Sequence, residues 1–397
     1  MRVKHIAIAG CGVAGLACAA LLARAGGRVV VFDKMATPQP LGSGLILQPV
    51  GLAVLDAIGV GGRIRELGAP IARLYGRAAP SGRVVLDVRY RALGQHAPLG
   101  ISVHRGALFQ LLYDAAVAAG AEIVSGCEIV GADDARLFFA GGGESGRFDL
   151  VIDALGMRSP LSRPPMQNLP FGALWASLDW VDGFDVAALE QRYERARKMV
   201  GVLPIGRLPG ARQNQAAFFW SLKHADYATW RAGNLEAWKD DVRALWPETE
   251  PLLAQIDSHE QMVFAAYAHR TLRGPVTGRI AHVGDSWHCT SPQLGQGANM
   301  ALLDALALAR ALERQDDVEM ALGEYARLRL WHIRLYQAAS WLFTPAYQSD
   351  SDALAWFRDW VMAPISRVPP APALLAGLVA GQIGWPLASI ARLERDA

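Results

Sequence analysis

Residues 284–305 read G-D-S-W-H-C-T-S-P-Q-L-G-Q-G-A-N-M-A-L-L-D-A, and no other stretch constrains the chain as tightly. The preceding run, Arg279-Ile-Ala-His-Val283, is predicted to be a short strand that ends at Gly284-Asp285. A loop carrying Pro292, Gly295 and Gly297 follows, and an Ala- and Leu-rich helix opens at Ala298-Asn299. Gly295 and Gly297 let the backbone come close to something flat or anionic. The helix start adds free N–H groups and a partial positive charge, which suit an anionic ligand edge. Asp285 stands at the strand end, where a carboxylate can hold a ribose or ribityl hydroxyl.

The chain begins with a second nucleotide pattern. Val3–Ala9 is predicted to be a buried parallel strand, followed by Gly10, Gly12 and Gly15 in G-C-G-V-A-G. A helix over Ala14–Ala25 stops at Gly26-Gly27, and Arg28–Phe32 is a second strand with Asp33 at its end. Strand, glycines, helix, strand and acid form a complete βαβ dinucleotide fingerprint. The glycines make the turn, admit a pyrophosphate and let the helix lie close to the sheet. Asp33 is placed to accept from adenosine ribose hydroxyls. The fingerprint alone leaves FAD and NAD open.

The later stretch resembles the G-D-x-x-H…P…G-x-G-x-N signature of class A flavoprotein monooxygenases, the family of para-hydroxybenzoate and salicylate hydroxylases. Gly284, Asp285, His288, Pro292, Gly295, Gln296, Gly297, Asn299 and Asp304 carry the match. The resemblance implies FAD, tightly but non-covalently bound, with Asp285 on the ribityl chain and the Pro292–Gly297 loop beside the isoalloxazine. It implies NAD(P)H as a transient reductant without a dinucleotide domain of its own, and O2 as co-substrate. The implied chemistry is oxygen transfer from a flavin C4a-hydroperoxide to an electron-rich aromatic carbon. Gly42-Ser43-Gly44 would wrap the flavin. Relatives place an arginine before that loop, where Lys34 is the local cation of Lys34–Pro40. His104-Arg105-Gly-Ala-Leu108 resembles the R-x-x-L element, which gives Arg105 a role at the cofactor ribose and phosphates. A third signature, D-G-x-x-S-x-x-R, is altered. Gly156 and Ser159 match, but Leu155 replaces the Asp and Ser162 the Arg, while Asp153 stands two residues early and Arg163 one late. Arg158 remains a phosphate candidate.

The fold class expected is α/β, a Rossmann-like FAD-binding domain interleaved with a mixed-sheet substrate domain and followed by C-terminal helices. The FAD-binding parts are 1–73, 101–165 and 271–330, the substrate parts 74–100 and 166–270, and the helical segment 331–397. From Phe171 to Arg270 tryptophans recur at 175, 180, 220, 230, 238 and 246. In the strand Phe218–His224, Phe218, Trp220 and Leu222 share one face, and Phe219, Ser221 and Lys223 the other. One face packs on helices; the other can roof an aromatic-lined cavity for a planar, largely apolar substrate. Filling space between sheet and helices is the other use of these aromatics. Polar candidates are His224, Tyr267, His269 and Arg270, with Arg207 and Arg212 as carboxylate binders or surface loop. Pro292, Gly295, His224 and Tyr267 form the catalytic set; Gly10, Gly12, Gly15, Asp33, Lys34, Arg105, Asp285, Pro292, Gly295, Gly297, Ala298 and Asn299 form the cofactor set.

Composition closes other routes. A formal charge of +2 and 19% charged residues leave no nucleic-acid footprint. Cys11, Cys18, Cys127 and Cys289 make neither a CxxC pair nor a zinc pattern, so no metal is expected and a reducing cytoplasm fits. Cys289 is either open to oxidation or a packing residue. Val368–Ala391 carries no charge, but prolines and glycines interrupt it. It is read as a buried or interface helix, with peripheral membrane contact through 368–391 as the second reading. A monomer or homodimer is expected. Rival functions are a quinone-pathway or natural-product hydroxylase or epoxidase at a membrane surface, and a low-turnover flavin-binding redox or interaction protein.

Overall fold

Glycine and small side chains let the first helix settle on the sheet. His5–Ala9 leads through Gly10–Gly12 into the helix Val13–Arg24, whose buried face is Gly15, Ala17, Ala19, Ala20 and Ala23 with Leu16 and Leu22. Arg28–Phe32 then returns parallel to the first strand, Ile6 opposite Val29 and Ala9 opposite Phe32. The protein is seen here as a computed structural model that describes residues 5–37, 42–133, 135–163, 166–384, 386–388 and 390. Val3 of the first expected strand, and residues 38–40 of the stretch after Lys34, lie outside the described residues.

The first sheet has six strands in the spatial order Val276–Thr277, Ile280–His282, Leu150–Asp153, His5–Ala9, Arg28–Phe32 and Glu122–Val124. All neighbours run parallel except the 276–277 edge. Chain order reverses around His5–Ala9, so that strand marks the switch point, where α/β folds bind ligands beyond the carboxyl ends. The helix Gly297–Arg314 packs against Val13–Arg24, Pro49–Ile58 and the long helix Val318–Tyr347.

A second, seven-stranded sheet is built from two excursions of the chain. Its order is Val263–His269, Gln167–Asp179, Gln215–Lys223, Lys198–Pro204, Ala188–Glu194, Arg73–Ala78 and Val84–Arg89. All its pairs are antiparallel except Ala188–Glu194 with Arg73–Ala78. A three-stranded sheet, Gly44–Leu47, Gly100–His104 and Ala69–Ile71, stands between the two. The alternation expected in the 218–223 strand holds. Phe218, Trp220 and Leu222 pack with Trp230, Trp238 and Trp246 of the outer helical layer, whereas Phe219 faces Trp175 on the other side.

In the tail, the long helix Val318–Tyr347 runs through Pro345. The proline falls in the last turn, so its missing N–H costs a single bond at the position of Trp341, whose side chain is 72% exposed. The uncharged stretch folds as the short helix Ala371–Val379, with Ala376, Val379 and Ala380 buried beside Tyr90, Leu203 and Ala217. Val368 and Leu374 stay exposed, and Trp385, Ser389 and Ala391 lie outside the described residues. Among the described residues no helix is long and apolar enough to cross a membrane.

Candidate cofactor and substrate site

Strand ends bring the sequence signatures together at the carboxyl edge of the six-stranded sheet. Gly10 has φ +105°, and a Cβ there would stand 2.5 Å from the carbonyl oxygen of Ala154. Gly15 could not carry a Cβ either, because the Gly10 carbonyl fills that space. Gly12 is different: nothing lies within 4 Å of its Cβ position, and it caps the helix Val13–Arg24 facing open space. That is the cradle a pyrophosphate requires. Asp33 braces it, accepting from Cys11 N–H at 2.8 Å and Met35 N–H at 2.9 Å. Lys34 is exposed in the turn that follows.

The Asp285 edge is built on a buried ionic hub. Asp304 is fully buried and accepts from Gly284 N–H (2.8 Å), His288 Nε2 (2.6 Å) and Arg329 Nε (2.8 Å). Burial alone would push its carboxyl up, but the charges of His288 and Arg329 and the bonds from both hold it below the usual carboxylate range. Arg329 also donates to His332 Nδ1 at 2.9 Å. Burial and that guanidinium depress the His332 imidazole to about 3. So fixed, the Gly284 turn leaves Asp285 exposed, with its Oδ1 3.9 Å from the Cβ position of Gly297. Pro292 begins a short turn ending at Gly295, whose φ is +61°. The helix Gly297–Arg314 starts there, with Ala298 half-buried in its first turn. Asn299 is buried and its side chain is engaged within the protein: Oδ1 accepts from Gln48 N–H (2.8 Å), and Nδ2 donates to Ile46 O (3.1 Å) and Gly295 O (3.0 Å). It holds the Gly295 loop against the strand Gly44–Leu47. Cys289 proves a packing residue. It is buried, its Sγ lies 3.2 Å from Ala268 O, and burial pushes its thiol well up.

Arg105 opens the helix Arg105–Ala118 beside Gly42. The residue is exposed, yet the protein around its guanidinium desolvates it and lowers its pKa, against the opposing influence of Asp285 and Tyr267. Arg105, Asp285 and Tyr267 therefore share one electrostatic neighbourhood. Gly106 N–H donates to His104 Nδ1 at 2.9 Å, which leaves the His104 Nε2 proton for Ser177 Oγ at 3.3 Å. Burial keeps this imidazole below its usual range and neutral.

On the inner face of the seven-stranded sheet, Trp175 and Phe219 stack at 4.6 Å and 30°. Trp175 Nε1 donates to Tyr267 Oη at 3.3 Å, and burial raises the Tyr267 phenol. His269, half-buried, lies two residues beyond Tyr267 on the strand Val263–His269 and so on the same face, and burial lowers its imidazole. His224, Arg270 and Arg207 stand apart. His224 is an exposed residue at the end of Gln215–Lys223, its ring 5.7 Å from Phe264, which packs with the outer helices. The strand carries it past the sheet, so it does not join Tyr267. Arg270 is buried against the Ser286 carbonyl at 3.5 Å, and Arg207 lies 3.8 Å from Glu66 at the surface. Asp153, outside the sequence-derived site set, is buried and hydrogen-bonded to Ser159, Ser162 and His282, and its offset from the third signature is the sequence signal for it.

The sequence pattern of the FAD binding domain family matches residues 4–315. This chain belongs to that family. It is 29% identical to a Rhodococcus erythropolis protein put forward as a 2-heptyl-3-hydroxy-4(1H)-quinolone synthase, over 81% of this chain and 82% of that one. It is 27% identical to the 3-amino-4-hydroxybenzoate 2-monooxygenase of Streptomyces cremeus, over 82% and 83%. The solved structure of Klebsiella pneumoniae HpxO complexed with FAD and uric acid shares the fold at a TM-score of 0.77 and 20% identity, covering 97% of this chain and 99% of that one. The chain is an FAD-dependent monooxygenase of the aromatic hydroxylase type, using NAD(P)H and O2. The cradle fits FAD: open space at Gly12, an exposed carboxylate at Asp285, and an exposed helix start at Gly297 with Asp285 Oδ1 beside it. Among the described residues no cluster of His, Cys, Asp or Glu could hold a metal.

Proposed function

We propose that this enzyme hydroxylates a planar heteroaromatic compound bearing an oxygen substituent on the ring. The substrate lies between the inner face of the seven-stranded sheet and the Pro292–Gly297 loop. The Trp175–Phe219–Tyr267 group carries this reading: a flat aromatic wall with one buried phenol beside Arg105. Because Trp175 N–H occupies an acceptor site of Tyr267 Oη, the phenol proton is left to donate to a substrate oxygen. Phe219, 4% exposed, helps keep water from the reacting carbon. The names of the quinolone and urate relatives point to the same substrate chemistry, and the aminohydroxybenzoate relative shares the ring oxygen substituent on a carbocyclic ring.

Gly10, Gly12 and Gly15 would receive the FAD pyrophosphate, Asp33 the adenosine ribose, Arg105 the phosphate region and Asp285 the ribityl chain. Backbone N–H groups of Gly297, Ala298 and Asn299 would face the flavin pyrimidine edge, while Pro292 and Gly295 shape the loop against its ring. FAD, when bound, supplies dioxygen activation and oxygen transfer. The FAD-binding parts are 1–73, 101–165 and 271–330, the substrate parts 74–100 and 166–270, and 331–397 completes the chain with helices. A cytoplasmic location goes with this reading. Val368 and Leu374 are the exposed groups through which the tail would touch a lipid surface, and vesicle sedimentation measures that directly.

The test is a titration of the FAD-loaded protein with 4-quinolones, hydroxypyridines and hydroxybenzoates, following the flavin absorbance. A saturable perturbation by the heteroaromatics, weakened about fivefold by Tyr267→Phe, is expected for the loss of one hydrogen bond. Saturation by the heteroaromatics that Tyr267→Phe leaves unchanged would remove Tyr267 from the site. No perturbation by any of them would remove the substrate class.

A further inference from the structure

We propose that Asp153 is a positioning residue that couples the two segments holding FAD, the Gly10 loop and the Gly284–Ser286 turn. The inference rests on the FAD reading above. Asp153 ends the strand Leu150–Asp153 and is fully buried. Its Oδ1 accepts from Leu155 N–H at 3.1 Å. Its Oδ2 meets Ser159 Oγ at 2.7 Å, Ser162 Oγ at 2.9 Å and His282 Nδ1 at 2.8 Å. His282 is held from its other side by Thr277 Oγ1, 3.2 Å from Nε2. The carboxylate therefore fixes the whole 154–162 loop against the strand Ile280–His282.

Two routes lead from this hub to the cofactor cradle. Toward Gly10, Ala154 N–H donates to Ala9 O at 2.8 Å, and Ala154 O occupies the space a Gly10 side chain would need. Toward Asp285, Val283 N–H donates to Asp153 O at 3.0 Å, and Ser286 Oγ donates to the same oxygen at 2.7 Å. Ser162 closes that second route, since its Oγ also lies 2.7 Å from Ser286 O, next to Asp285. The three departures in the third signature now read as one set. The carboxylate moves inward to Asp153, Leu155 takes the place it leaves, and a short hydroxyl at Ser162 replaces a long cation. An arginine at 162 could not sit buried between Asp153 and Ser286 in the space a serine fills.

Ser159 and Ser162 separate positioning from packing. The Ser159 hydroxyl donates to Asp153 Oδ2, whereas Ser162 shares its single proton between Asp153 Oδ2 and Ser286 O and so bridges the two. The measurement is FAD release from the full-length holoenzyme on dilution, read by flavin fluorescence, with melting temperature recorded in parallel. Ser162→Ala is expected to raise the FAD Kd about tenfold and Ser159→Ala less than about threefold, with similar small losses in melting temperature. Ser162→Thr, which keeps the hydroxyl, should return most of the affinity. Equal Kd changes for the two alanine variants, or lowered melting temperatures with unchanged Kd, would reduce Asp153 to a packing role. A wild-type chain that takes up no FAD would overturn the cofactor reading itself, a separate outcome.

Discussion

The two halves of the site are built from different materials. At the carboxyl edge of the six-stranded sheet, the parts we assign to FAD are glycines, backbone N–H groups and strand-end carboxylates. Each is placed by its distance in sequence from a strand. On the inner face of the seven-stranded sheet, Trp175, Phe219 and Tyr267 come from three different strands and position one another. The first half tolerates little change because backbone conformation defines it. The second can exchange side chains while the sheet stays intact. One fold can therefore keep its cofactor and vary its substrate.

The difference can be broken most forcefully at Asp304. Asp304→Ala leaves Arg329 and His288 buried without their carboxylate and should cost about 3–5 kcal/mol of stability. Chemical denaturation of the holoenzyme reads it, and a variant as stable as wild type would show the hub to be dispensable. Gly12→Val acts on the cofactor half without touching the fold, since its side chain meets only open space. FAD affinity should fall by more than about a hundredfold while the circular dichroism spectrum stays unchanged. Asp285→Ala should weaken FAD by about tenfold to a hundredfold, the loss of a charge-assisted hydrogen bond.

On the substrate half, Trp175→Phe removes one N–H and part of one ring. It should raise KM by about threefold to tenfold and leave FAD content intact. Loss of FAD in that variant would erase the distinction between the halves. A further effect appears only in acid. His332 titrates near 6.5 when unfolded and is held near 3 when folded, so the unfolded chain binds the extra proton between those values. Stability is then lost as pH falls from about 6.5 toward 3, and the depressed Asp304 carboxyl adds to the loss at its acid end. His332→Phe should flatten the melting temperature against pH in that window.

What the sequence made legible follows the same division. Gly10, Gly12, Gly15 and Asp33 could be placed because glycine needs and strand ends are local facts. Asp285, Gly295 and Gly297 were placed for the same reason. Asp304 was matched by pattern, but its bond to Arg329, 25 residues later, depends on helix packing that no spacing encodes. His224 illustrates the converse. Its side of the strand was legible, but where the strand leaves the sheet was not. Among six tryptophans of the substrate region, Trp175 lies on the inner face and stacks on Phe219, whereas Trp180, Trp220, Trp230, Trp238 and Trp246 serve the outer layer. Alternation assigns a face to a residue, and only the tertiary partner says which face meets the ligand.

Oxygen insertion from labelled dioxygen is the most direct test. The FAD-loaded enzyme is supplied with NADH or NADPH and a panel of oxygen-bearing heteroaromatics, with cofactor oxidation and product mass followed together. The expected result is at least one compound that accelerates NAD(P)H oxidation and gains a single labelled oxygen atom. Firmly bound flavin, with no compound accelerating oxidation and no labelled product, would contradict it.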